Sequence, residues 1–273
     1  MSISRMPSAR LFGTDRIKTR WMEKRFCLDD SAWFRMVELD EVDSTNSFLK
    51  RYHAPEPRKV TLVTAEFQTA GRGSASNTWE SAAGKNLLFS LLTHPRMVEA
   101  ERMYVLSEVV ALAVCDALNG FAPGFQIKWP NDIYYGDRKI VGMLIENDLE
   151  GKVISNCIMG VGINVNQTRF ESDAPNPISL AQILGREVDR RLVLEKVVER
   201  FLFYYGWLED HWNEKIHKKY LNQLYRLEEQ HEFQDSTGRF LASIQDVEPT
   251  GHLLLLDAEG KMRRYAFKEV QFL

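Results

Sequence analysis

The chain has 273 residues, 44% of them hydrophobic, and a formal net charge of −3. That length supplies one substantial domain and a small one, each with apolar material for a core, and the small negative charge argues against a broadly basic nucleic-acid-binding surface. No run approaches the roughly 20 apolar residues of a membrane span, and the N-terminus has arginines without the apolar core of a signal peptide. Cys27, Cys115 and Cys157 have no CxxC or metal-ligand spacing, so free thiols in a reducing, cytoplasmic compartment are expected.

Residues 1–30 are Ser/Arg/Lys-rich without sustained periodicity and are read as a poorly ordered N-terminal extension. Organised pattern begins near Trp33, with FRMVELDEV as a strand, then Ser44-Thr45-Asn46 as an N-cap ahead of a helix over Ser47–Tyr52. Thr61–Glu66 and Asn86–Leu92 are further strands. From Glu99 to Leu118, Met103, Leu106, Val110, Ala113 and Ala117 keep helical spacing, which predicts an amphipathic helix on a sheet, stopped at Gly120. Phe125–Trp129, Ile133–Tyr135, Ile140–Ile145 and Val153–Val165 follow as strands joined by turns at Gly136, Asn147/Asp148 and Gly151, links short enough to imply antiparallel neighbours. Leu192–Tyr225 reads as one or two long helices. Beyond about Gln230, short apolar runs alternate with turns at Thr237-Gly238, Thr250-Gly251 and Glu259-Gly260, the pattern of a small β-barrel docked on the main domain.

Chemistry concentrates in four places. Lys128-Trp129-Pro130-Asn131-Asp132, eleven residues ahead of Lys139 and fourteen ahead of Gly142, puts two lysines and a carboxylate around one turn, at strand ends suited to meeting an anion. Gly71-Arg72-Gly73, with Gln68 before it and Trp79 after it, is either a loop able to close over a phosphate or nucleotide, or an ordinary glycine-rich loop with a solvated arginine. Ser44-Thr45-Asn46 could bind a ureido, amide or carboxylate group, or merely cap a helix. Gly160–Asn166, GVGINVN, reads as a strand with close backbone approach, or one presenting Asn164 to a nucleotide. No P-loop pattern is present, and the six histidines show no ligand spacing.

Together these blocks, DSTN (Asp43–Asn46), AEFQTAGRG-x5-W (Ala65–Trp79), KWPNDIYYGDRKIVGMLIE (Lys128–Glu146) and GVGINVN, closely resemble the biotin protein ligases, the biotin–[acetyl-CoA-carboxylase] ligase family, in order, spacing and identity. The resemblance implies an α+β fold with a mostly antiparallel central sheet, a catalytic domain over 31–228 and an SH3-like barrel over 229–273. It implies ATP, Mg²⁺ and biotin as reactants, and a biotin carboxyl carrier domain as acceptor. By position, Ser44, Thr45, Asn46, Gln68, Arg72, Gly73, Lys139 and Gly142 would contact biotin; Gly71, Arg72, Gly73, Trp79, Lys128, Asn131 and Asn164 would face ATP or the adenylate. Lys128, Lys139, Asp132 and Arg72 would carry catalysis. Only about 32 residues precede the ligase pattern, too few for the winged helix-turn-helix of DNA-binding relatives, so no sequence-specific DNA binding is expected of a monomer or homodimer. Ser74–Thr78 departs from the more basic loop of many relatives, which predicts weaker retention of the adenylate.

Overall fold

In the computed structural model the described residues are 34–52, 60–73, 77–171 and 176–273. The expected N-terminal extension, with Cys27, and Ser74–Ser76 of the atypical loop lie outside them. Seven strands, β1 (Phe34–Val42), β2 (Val60–Gln68), β3 (Leu87–Thr93), β4 (Phe125–Lys128), β5 (Asp132–Tyr135), β6 (Arg138–Glu150) and β7 (Val153–Ile163), form one sheet in the order β1-β2-β3-β7-β6-β5-β4. β1 and β2 are parallel; every other pairing is antiparallel. Apolar on both faces, LLFSLLT of β3 is buried along its whole length near the middle of the sheet.

Two predicted boundaries move for a physical reason. Asn147 and Asp148 do not turn; they extend β6, with a register shift after Asp148, and the reversal comes at Gly151, whose φ of +64° suits glycine. The helix expected from Glu99 begins with a 3₁₀ turn at Ala100–Arg102, and the α-helix α2 spans Tyr104–Asn119. Rather than being amphipathic, α2 is apolar nearly all round, because α4 (Arg190–Glu209) and α5 (Asn213–Leu221) cover the side the sheet leaves open. A short helix, α3 (Leu180–Leu184), follows a Ser179/Gln182 capping box that the periodicity did not reveal. On the opposite face of the sheet α1 (Thr45–Arg51) packs against β2, β3 and β7.

The C-terminal strands β8 (His231–Asp235), β9 (Gly238–Val247), β10 (Leu253–Asp257), β11 (Met262–Tyr265) and β12 (Gln271–Phe272) form a second sheet, ordered β11-β10-β9-β8-β12. It is fastened to the main body by His217 of α5, a residue that spacing gave no role. One ring nitrogen lies 2.7 Å from Glu108 Oε1 of α2 and the other 2.9 Å from Asp246 Oδ1 of β9. Burial pushes the Glu108 carboxyl up, and the bond from His217 opposes that rise. The hydrogen bond to Glu108, opposed by burial and reinforced by Asp246, raises His217 to about 9. With a carboxylate at each ring nitrogen, the imidazolium is the form favoured at neutral pH.

Since the folded-state value lies above the ordinary 6.5, this clasp contributes fully below about pH 6.5 and is lost as pH rises through about 9. Thermal melts should show Tm falling over that window. His217→Ala, which leaves Glu108 buried without its cation, should cost about 3 kcal/mol at neutral pH and flatten the pH dependence; an unchanged slope in the variant would rule His217 out as its cause.

Candidate functional site

The sheet face that carries α1 changes character across its width. Near β1 it is apolar, and Val37, Leu39, Val63, Leu92 and Ile158 pack with Leu49 of α1 in a small second core. Further across, the same face carries Ser90, Gly160, Gly162 and Gly142, with Ser90 paired to Gly160 and Gly142 to Gly162. Three missing side chains turn this face into a floor of bare backbone. The indole of Trp79 lies on it: a Cβ at Gly162 would stand 2.4 Å from Trp79 Cε2, and one at Gly142 2.6 Å from Cζ3. A Cβ at Gly160 would meet Asn46 Oδ1 at 2.2 Å.

One end of the floor is neutral and hydrogen-bonding. Ser44 occupies the N-cap position of α1 without a side-chain cap bond, and the helix starts at Thr45, two residues earlier than its apolar pattern suggests. Thr45 and Asn46 are thereby drawn into the first turn, buried and facing the sheet. The Thr45 N–H and Oγ1 both reach Gln68 Oε1, at 2.8 and 3.1 Å. Ser90 Oγ lies 2.7 Å from Thr45 Oγ1 and 2.6 Å from Asn46 Oδ1. A hydroxyl has one proton, so it cannot serve both acceptors at once, and this corner keeps acceptor capacity for a ligand N–H. Ser90 was missed from sequence; its signal was a lone polar residue inside LLFSLL.

The other end is cationic. Lys128, at the tip of β4, donates to Tyr134 Oη at 3.1 Å, and Lys139 Nζ sits 2.7 Å from Asp132 Oδ1. A regular strand would put residues 139 and 142 on opposite faces. A register shift in the β5–β6 pairing, with Ile140 as the extra residue, turns Lys139 onto the floor, where its Cε comes within 3.4 Å of a Cβ built on Gly142. Burial depresses Lys128, Asp132 opposing and Arg226 and Lys139 adding to the fall. Burial likewise raises the Asp132 carboxyl against the pull of Lys139 and Lys128. The turn between β4 and β5 is held from several sides: Asn131 Nδ2 donates to the Met143 carbonyl, Trp129 Nε1 to Gly251 O at 3.0 Å, and Tyr104 Oη to Pro130 O at 2.9 Å.

The glycine-rich loop folds back on itself. Gly73 N–H donates to Asn77 O at 2.8 Å and Trp79 N–H to Gly71 O at 3.0 Å, which carries Arg72 to Glu146. There the guanidinium makes a bidentate pair, at 3.1 and 2.8 Å, while Lys50 Nζ and Asn46 Nδ2 approach the same carboxylate at 2.7 and 2.9 Å. Burial alone would raise Glu146; the bonds from Lys50, Arg72 and Asn46 outweigh it and hold the carboxyl below its ordinary value. Glu146 ends the KWPND block, yet nothing local marked it as the partner of a loop seventy-four residues away.

Most of these groups line one cavity of about 1250 Å³, larger than the roughly 300–1,000 Å³ of a single small-ligand pocket. Ser44, Thr45, Asn46, Gln68, Arg72, Gly73, Trp79, Lys128, Asn131, Asp132, Lys139, Gly142 and Asn164 line it. Gly71 does not: a Cβ there would meet the Trp79 carbonyl at 2.6 Å, behind the loop. Among the described residues, two buried polar atoms, Trp79 Nε1 and Asn164 Oδ1, have no hydrogen-bond partner, which leaves each able to form a hydrogen bond with a ligand. Phe267, Phe272 and Leu273 of the C-terminal segment complete the wall.

Residues 39–164 match the model of the biotin/lipoate A/B protein ligase family. A biotin protein ligase from Aquifex aeolicus solved in complex with biotin and ATP superposes with a TM-score of 0.73 at 28% identity, over 87% of this chain and 99% of that one. Residues 39–164 thus carry a biotin/lipoate A/B protein ligase domain. Among its relatives, the Bacillus subtilis bifunctional ligase/repressor BirA is 36% identical over 59% of this chain and 49% of its own. The Paracoccus denitrificans biotin–[acetyl-CoA-carboxylase] ligase is 28% identical over 82% and 95%. The chain thus spans about half the length of the ligase/repressors it matches. The family match covers the floor and both of its ends.

A methyl group at Gly162 has no room beneath the indole. Gly162→Ala should cost about 1–3 kcal/mol in denaturant unfolding, and most of that penalty should vanish in a Trp79→Ala background. A double-mutant cycle with no coupling would show that Trp79 does not rest on this floor in solution.

Proposed function

We propose that the chain is an ATP-dependent biotin protein ligase, which joins biotin to ATP as biotinoyl-5'-AMP with release of pyrophosphate and then transfers the biotinoyl group to a lysine of a biotin carboxyl carrier domain. The observation that carries this reading is the two-ended cavity. Its neutral end, with Thr45, Asn46, Gln68 and Ser90, suits an uncharged amide-like head group, and its cationic end suits a carboxylate and phosphates brought together. The Aquifex relative's complex with biotin and ATP supports the same pair of ligands, and the name of the Paracoccus relative supports a carboxylase carrier as acceptor.

Two anions must meet for the first step, so catalysis is mainly alignment and charge neutralisation. Lys139, stationed between floor and turn, would sit at the carboxylate and α-phosphate, and Lys128 at the phosphoryl oxygens. Trp79 offers an aromatic surface beside the adenylate, with Asn131 and Asn164 at its edge, and Gly142 lets a ligand or the indole approach the backbone. Arg72 would close the loop over the intermediate, excluding the water that hydrolyses a mixed anhydride. Asp132, with its carboxyl raised by burial, would orient the acceptor lysine and take its proton.

Among the described residues no group of three His, Cys, Asp or Glu side chains forms a metal cage, and Asp132 is paired with Lys139. A Mg²⁺ ion that arrives on the ATP phosphates would draw its protein oxygens from the Asp132 carboxylate and the Asn164 amide, both in the cavity lining. When bound, such an ion neutralises phosphate charge. We also read residues 31–228 as the catalytic domain and the C-terminal five-stranded sheet as its SH3-like barrel, over 229–273.

Incubation with ATP and either biotin or lipoate should release pyrophosphate with biotin alone, and labelled biotin should pass to a carrier domain. Lys139→Ala should lower that transfer by at least about 10²-fold; undiminished transfer in the variant would sink the assignment of Lys139, and pyrophosphate release with lipoate would favour a lipoate ligase instead.

A further inference from the structure

Arg226 shares the cavity wall with Lys128 but lies outside every motif. It stands in the segment joining α5 to β8, which is tied down on both sides: Tyr225 N–H donates to Ile127 O on β4 at 2.8 Å, and Glu228 N–H to Ile244 O on β9 at 3.1 Å. Between these anchors Arg226 has a φ of +62°, left-handed backbone that a side-chain-bearing residue adopts at a cost. The result is a guanidinium carried over the Tyr225 ring, 4.8 Å from its centroid, at the seam between the two sheets.

Its partners there do not account for the arrangement. One N–H donates to the Leu273 main-chain oxygen at 2.8 Å, and the facing carboxylate, Asp137, is 3.8 Å away and 79% exposed. An ion pair that long to an exposed acid is a weak anchor, and the five donors of the fork exceed what these partners use. A continuous wall connects it to the reaction centre: Lys128 lies over the Tyr134 ring at 4.4 Å, and the Tyr134 and Tyr225 rings are 5.5 Å apart. Along this wall Lys128, Lys139 and Arg226 face two carboxylates, of which Asp132 is committed to Lys139. Among the side chains of this wall, positive charge is therefore in excess at the end of the cavity farther from Thr45 and Asn46.

We propose that Arg226 binds the β- and γ-phosphates of ATP and the pyrophosphate they become, as a positioning residue for the leaving group; this rests on the ligase reading. In the first step a carboxylate oxygen of the acid bonds to the α-phosphorus while the bond from that phosphorus to the bridging β-phosphate oxygen breaks. The electron pair leaves with pyrophosphate, and a planar guanidinium meets the charge gained there through two parallel N–H···O bonds.

The test uses the full chain with Arg226→Ala and Arg226→Lys. The alanine variant should raise the KM for ATP by at least about tenfold, leave the KM for biotin near its wild-type value, and weaken product inhibition by pyrophosphate in parallel; lysine should recover part of each. Transfer from synthetic biotinoyl-AMP to a carrier domain, which involves no β- or γ-phosphate, is the internal control. If adenylation and transfer fall together, or Tm drops while the KM for ATP stays put, Arg226 is only a strut to Leu273 and the proposal fails. Calorimetric titration with inorganic pyrophosphate keeps the question answerable on its own: tight binding lost in Arg226→Ala supports the site and equal binding overturns it, whereas a wild type that never activates biotin sinks the ligase reading instead.

Discussion

Everything at the site depends on the register of β6 against β7. That register sets Gly142 beside Gly162 and leaves Gly160 one pleat away, so a sheet that is densely covered elsewhere presents bare backbone at one place. Because side chains on a strand alternate, Leu144 and Glu146 follow Gly142 on the same face, and the Leu144 carbonyl and Glu146 carboxylate both receive Asn46. A slip of one residue would put Val141 and Met143 where the floor is, and the hollow would fill.

Charge at the two ends is managed differently. Glu146 gathers Arg72, Lys50 and Asn46, so the glycine-rich loop, the helix α1 and the sheet meet at one carboxylate. Its charge is met by three partners, of which Arg72 and Asn46 line the cavity. At the far end the balance runs the other way: cations outnumber the carboxylates able to pair with them, and burial works against both the Lys128 ammonium and the ionised Asp132. An anion entering this end relieves a cost already present in the folded chain, which is the physical sense in which the site is organised for its ligand.

The second sheet is part of this arrangement and not an appendage to it. Trp129 in the KWPND turn donates to Gly251 and meets the Phe267 ring, while Phe272 lies 5.1 Å from Lys128 Nζ. Tyr104 ties the same turn to α2 and α5 through Pro130 and Tyr220. The His217 clasp holds the two sheets in the relation these contacts need. A small sheet with few buried apolar side chains gains stability from that docking, and the cavity gains a wall.

Much of this was legible in the chain itself. FRMVELDEV coincides with β1, and the runs around Thr61, Asn86, Phe125 and Ile133 fall within a residue or two of their strands, because period-2 patterning and turn chemistry are local. The four motif blocks were legible too, and with them the ligase domain that the family model matches over 39–164. Tertiary structure alone decided that Ile140 bulges and swings Lys139 to the floor, that Ser90 and Glu146 join Asn46, and that Arg226 reaches the cavity. The pairings of Asn46 with Ser90 and Glu146 join residues 44 and 100 positions apart, and strand register and docking, which no local window encodes, bring them together.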